Sequence, residues 1–135
     1  MSGHIFFNDR WPGFDDGVYA GARMLEIISS SEEDDLFEHL PKLISTPEIN
    51  IPTTDEDKFT IIDEFKKISN FEDGKIIDTD GIRVEFDDGW GLLRAANTSP
   101  VLVLRFEADS TKTLNEIKEM FKDTLRKIDA PLTDF

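Results

Sequence analysis

Arg94 ends an apolar run, Gly89-Trp-Gly-Leu-Leu-Arg94, and Pro100 opens a second one, Val101 to Ala108. Between them lie Ala95, Ala96, Asn97, Thr98 and Ser99. One fixed guanidinium, two hydroxyls and several loop amides brought around one small volume are the chemistry that holds a phosphate without a helix or a metal. Asn97 tolerates a left-handed backbone, and Pro100 stands where a strand begins without breaking a ladder. Ala95 and Ala96 add little volume, so a ligand can approach the backbone closely. A plain hairpin loop with an exposed arginine has the same composition, and these residues alone leave both readings open.

Other residues offer less. His4 follows Gly3 and precedes the apolar run Ile5-Phe6-Phe7, a setting in which an ordinary half-buried histidine is the simpler reading. Trp11 and Trp90 read as packing residues rather than sugar-stacking platforms. The acidic groups Glu32–Asp35 and Asp55–Asp57 fall at helix starts, where carboxylates complement the helix dipole, so a solvated face explains them better than a metal site.

Elements must position the loop, and the chain divides into two unequal parts. In the first, residues 5–7 read as a short strand. A helix is expected from near Asp15, with Val18, Ala22, Leu25 and Ile28 at helical spacing, ending at Ser29-Ser30-Ser31. Glu33 to Leu43 reads as another short helix stopped around Pro41. These pieces cannot enclose a core alone. From Ser45 the pattern is self-sufficient: a strand over Glu48–Ile51, then a helix capped by Thr54 with Phe59, Ile62, Phe65 and Ile68 on one face. Asp-Gly pairs at 73–74, 80–81 and 88–89 punctuate strands over Lys75–Asp78, Ile82–Phe86 and Trp90–Arg94. In Ile82–Phe86 apolar and charged residues alternate, as in an antiparallel sheet covered on one side. Val101–Ala108 presents Leu102, Leu104, Phe106 and Ala108 to the same side. Ser110 caps a last helix with Leu114, Ile117, Phe121, Leu125 and Ile128 inward. The order β-α-β-β-β-β-α predicts an α+β domain: a four- to five-stranded antiparallel sheet with two helices packed on one face.

Composition narrows the partners. With 29 acidic and 15 basic residues the formal charge is -14, which opposes nucleic acid and anionic membranes alike. Any phosphate site is therefore a local exception to the long-range field. There are no cysteines, so disulfides and thiolate metal sites are excluded. No apolar run is long enough for a membrane helix, and a cytoplasmic soluble protein is expected.

The stretch GWGLLRAANTSPVLVLRFEAD resembles the C-terminal phosphate-binding signature of bacterial phosphomannomutase/phosphoglucomutase, in the α-D-phosphohexomutase superfamily. That family's loop reads Arg-x-Ser-Asn-Thr-x-Pro. Arg94, Asn97, Thr98 and Pro100 match it, and Ala96 replaces the serine. Asn97 fits this branch better than the phosphoglucosamine mutases, which tend to carry glycine there. The start, MSGHIFFNDRWPGFDDGVYAGARMLEI, resembles the end of the family's third domain, whose sugar-recognition loop reads Gly-Glu-Met-Ser-Gly-His.

The resemblance implies a remnant of the third α/β domain over residues 1–44 and a C-terminal phosphate-binding domain over 45–135, of the kind likened to the TATA-box-binding protein. It implies that Arg94, Asn97 and Thr98 hold a substrate phosphate with help from the backbone at Ala96. Losing the family serine at Ala96 costs phosphate affinity unless Ser99 supplies a hydroxyl from across the turn, and partial compensation is expected. Ser2 would contact the sugar, and His4 would lie near the reacting centre as an acid or base. The family's phosphoserine loop, Asp-rich magnesium loop and first two domains have no counterpart here. No cofactor is expected in this chain, Mg2+ being a property of the complete enzyme, and the chain alone is not expected to catalyse. Its partners would be hexose phosphates (mannose or glucose 1- or 6-phosphate) and the missing N-terminal domains. The alternative is a stand-alone, non-catalytic domain binding sugar phosphates or a protein.

Overall fold

The computed structural model describes residues 3–32, 36–38 and 40–130, and the chain forms two compact units, Met1–Pro41 and Lys42–Phe135.

The first unit is built on α1 (Gly17–Ser30), begun by Asp16, whose carboxylate accepts from the amides of Val18 and Tyr19 at 3.0 Å. Ser29 and Ser30 turn their hydroxyls back onto Glu26 O as the helix ends, which competes with continuation. The strand expected over residues 5–7 is a single bridge, Phe6 to Asp15, because no neighbouring segment offers it a longer ladder. The preceding segment is tied to α1 by Trp11 stacked on Tyr19 at 4.2 Å, Phe7 edge-on to the same ring, and ion pairs from Arg10 to Glu26 and Arg23 to Asp9. Hydrogen bonds from Arg23 to Asp9 and from Arg10 to Glu26 hold both carboxyls below their ordinary values. The expected stripe of α1 lies open: Val18 is 86% and Leu25 67% exposed. Of the second expected helix, residues 36–38 form a turn and residues 40–43 are not helical. Pro41 lacks the amide a helix needs there. Glu33, Asp34, Asp35 and His39 lie outside the described residues.

The second unit runs β1 (Ile44–Ser45), β2 (Ile49–Pro52), α2 (Asp57–Ile68), β3 (Lys75–Ile77), β4 (Ile82–Phe86), β5 (Gly89–Ala95), β6 (Val101–Ala108) and α3 (Thr111–Lys127). Six antiparallel strands occupy five positions, in the order β1-β6-β5-β4-β3, with β2 sharing the outer edge of β6 with β1. Inward residues of β2, β4, β5 and β6 (Ile51, Ile82, Val84, Leu93, Leu102, Leu104, Phe106) are fully buried against α2 and α3. This is the expected α+β architecture with one strand more.

Both helices lie on that face. Ser110 caps α3 by accepting from Thr113 N, and Leu114, Ile117, Phe121 and Leu125 are buried as expected. In α2 the observed stripe is Lys58, Ile61, Ile62 and Phe65. Phe59 and Ile68 of the expected face are 56% and 40% exposed. Positions 58, 61, 62 and 65 are one helical face by spacing. The lysine belongs to it because its ammonium meets carbonyl groups below, and this rotates Phe59 outward.

The opposite face of the sheet mixes charged and apolar side chains, Arg83 and Glu107 beside Trp90 and Val103. The Arg83 guanidinium lies 3.9 Å from the Trp90 ring centroid, and the Trp90 indole donates to Glu107 Oε1 at 3.3 Å.

Candidate functional site

Arg94 lies near the C-terminal end of β5, opposite Val103 of β6. Its neighbours Leu93 and Ala95 face the core, so alternation sends its side chain to the open face. Gly81 passes beside it with φ +81, and a β-carbon at Gly81 would sit 2.3 Å from Leu93 O and 2.6 Å from Arg94 Cβ. Only glycine permits that approach, so the flank of Arg94 is bare backbone. Among the described residues the Arg94 guanidinium has neither an ion-pair nor a hydrogen-bond partner. In a chain with 29 carboxylates, that leaves it available.

The loop after Ala95 is fastened at both ends. Ala96 N donates to Val101 O at 3.0 Å, Val101 N to Ser99 O at 2.9 Å, and Thr53 N to Pro100 O at 2.9 Å. The amides of Asn97, Thr98 and Ser99 find no acceptor among the described residues, and Asn97 and Thr98 are exposed. The end of β5 and the turn after it thus carry, within six residues, a guanidinium, N–H groups and two hydroxyls that have no partner among the described residues. Such a set can wrap an oxyanion with several charge-assisted hydrogen bonds.

One residue of the site escaped the sequence reading. Lys58, in the first turn of α2, is 3% exposed and donates to Asp55 Oδ1, Ala96 O and Ser99 O at 2.7, 2.8 and 3.2 Å. The available signal was a lysine on the helical stripe of Ile61, Ile62 and Phe65.

Of the remaining candidates, His4 belongs to the first unit, exposed, with Nδ1 hydrogen-bonded to Asp15 Oδ2. Ser2 lies outside the described residues. In the acidic group at 55–57, Asp55 accepts from Lys58 and Asp57 pairs with the Thr54 hydroxyl in a helix cap. Among the described residues no three His, Asp or Glu side chains converge as a metal ion requires, so these residues do not fit a Mg2+ site.

Residues 48–124 match the model of the phosphoglucomutase/phosphomannomutase C-terminal domain, and residues 1–46 that of its alpha/beta/alpha domain III. The chain belongs to the phosphoglucomutase/phosphomannomutase family. It is 52% identical over 134 residues to a phosphomannomutase/phosphoglucomutase of Pseudomonas putida, covering 98% of this chain and 29% of that protein. To a phosphoglucomutase of Neisseria meningitidis serogroup A it is 53% identical over 125 residues, 90% of this chain and 27% of the relative. A solved phosphoglucomutase/phosphomannomutase family protein from Burkholderia thailandensis superposes with a TM-score of 0.82 at 43% identity, over 96% of this chain and 27% of that one. The chain therefore spans less than a third of these relatives and corresponds to their C-terminal portion.

Proposed function

We propose that Arg94 and the loop Ala96–Ser99 anchor the non-reacting phosphate of a hexose phosphate during its interconversion between 6-phosphate and 1-phosphate. In this reading the chain is the C-terminal portion of a cytoplasmic phosphohexomutase acting on mannose or glucose phosphates. The observation that carries it is the Arg94 guanidinium, without a partner among the described residues, at the end of a strand whose following turn has amides with no acceptor among those residues.

Arg94 supplies a planar pair of donors to two phosphate oxygens. The amides of the turn and the hydroxyls of Thr98 and Ser99 supply donors of fixed direction. Holding a phosphate remote from the reacting bond lets binding energy fix the sugar's position for transfer at its other end. The phosphoryl group and Mg2+ belong to the parts of a complete mutase that this chain does not span. Ser2 and His4 would meet the sugar there, with the His4–Asp15 contact exchanged for the assembled site.

Two-dimensional NMR of the chain titrated with glucose 6-phosphate and mannose 1-phosphate tests this. The amides of residues 94–99 should shift with either ester and stay still with free glucose or mannose. Arg94→Ala should weaken binding about 10- to 150-fold, the value of hydrogen bonds to a charged group. Silent loop amides, or full affinity in Arg94→Ala, would refute the anchor.

A further inference from the structure

All three N–H groups of the buried Lys58 ammonium are engaged, and two of them hold carbonyls of the phosphate loop, Ala96 O at 2.8 Å and Ser99 O at 3.2 Å. The last rung of the β5–β6 ladder shows what this does. Ala95 pairs with Leu102, so Ala96 and Val101 are opposed next, where an antiparallel hydrogen-bonded pair exchanges two bonds. Ala96 N donates to Val101 O, but Val101 N turns to Ser99 O. The carbonyl it forgoes, Ala96 O, is taken by Lys58. An ammonium from α2 thus replaces a strand amide and opens the hairpin at this rung.

A trans peptide carries its C=O and N–H on opposite sides. With Ala96 O turned in to Lys58, the Asn97 N–H of the same peptide must point outward, where Asn97 is exposed. Without that ammonium, closing the rung with Val101 N would draw the turn back into an ordinary hairpin. The 2.7 Å contact with Asp55 offsets the charge of Lys58, so its effect on an anion runs through loop geometry.

We propose that Lys58 is a positioning residue for the phosphate loop, holding Ala96 O and Ser99 O inward so that the amides of the turn face the ligand. This rests on the loop being a phosphate anchor, and it adds to that anchor a residue from a different element.

NMR on the whole chain tests it. In the wild type, couplings across hydrogen bonds from Lys58 Nζ to the carbonyl carbons of Ala96 and Ser99 are expected with and without inorganic phosphate. A freely rotating, rapidly exchanging ammonium overturns the proposal without any variant. The chain has no cysteine, so Lys58→Cys carries a single thiol. Alkylating it in denaturant with 2-bromoethylamine and refolding restores an ammonium at almost the original length. Lys58→Cys and Lys58→Met should keep the β4 and α3 resonances, displace the amide shifts of residues 97–99, and weaken inorganic phosphate binding about tenfold or more. Aminoethylation should recover both loop shifts and affinity. Unchanged affinity in folded Lys58→Met overturns the role, as does aminoethylation that leaves the loop shifts displaced. If the wild type shows no response to phosphate, the anchor reading fails, and the loop shifts of the variants still decide what Lys58 does.

Discussion

Ala96 stands at the handover from β5 to the loop, and the residue is nearly closed off, at 8% exposure. Its amide still pairs with Val101 O, so strand alternation continues through it and places its β-carbon on the same face as Arg94. Ala96→Ser adds a donor on that face. A new hydrogen bond to a charged ligand is worth about 1.5–3 kcal/mol, less the cost of seating a hydroxyl at a nearly closed position. Affinity for glucose 6-phosphate should rise about three- to tenfold by calorimetric titration. Equal or weaker binding would show that Ser99 already fills the role. That Arg94, Asn97 and Thr98 fall at the end of a strand and on the turn after it was legible in the sequence, because an apolar run precedes them and Pro100 opens the next. Lys58 was not. A lysine reads as solvated charge until the carbonyls that bury it are known, and those lie 38 and 41 residues further along the chain.

At the scale of elements, period-two alternation made β4, β5 and β6 legible, since one covered face forces it. β1 has two residues, too few for any period, and it exists only because β6 extends far enough to pair with both β1 and β2. The α2 stripe was misjudged for a related reason: Phe59 and Ile68 are apolar enough to suggest the wrong face, and Lys58 hides the right one. The seat of α3 depends on a missing side chain. A β-carbon at Gly91 would lie 2.6 Å from Phe121 Cε2 and 3.1 Å from Ile117 Cγ2. Phe121 is fully buried among Phe65, Phe71 and Phe106 and has no free space to yield. Gly91→Ala should therefore destabilise the second unit by about 1–3 kcal/mol through overpacking, read as a lower urea midpoint at unchanged slope. Phe121→Leu in the same chain should recover part of the loss. An unchanged midpoint in Gly91→Ala would mean that α3 is not seated on β5 as closely as described.

The whole molecule joins two units held by different forces. The second buries a continuous core between the inner faces of its sheet and its two helices. In the first, α1 buries no residue, and its attachments are ring stacking and ion pairs on side chains that are half-buried or exposed. Exposed pairs contribute little each and are screened by salt. Each unit carries one tryptophan, Trp11 and Trp90, so the two can be followed separately. In Trp11→Phe the remaining fluorescence reports the second unit, and in Trp90→Phe the first. The Trp11 signal should change at a lower urea concentration than the Trp90 signal, a departure from two-state behaviour. Acid should widen the gap. Asp9 and Glu26 have folded-state values below their unfolded ones. Their stabilisation is therefore complete above the unfolded carboxylate range and fades as pH falls through the folded values. Between about pH 7 and pH 3 the Trp11 midpoint should fall by more than acidification takes from Trp90. Coincident transitions at both pH values would mean that the two units unfold as one cooperative body, and would overturn the expectation drawn from the open stripe of Val18 and Leu25.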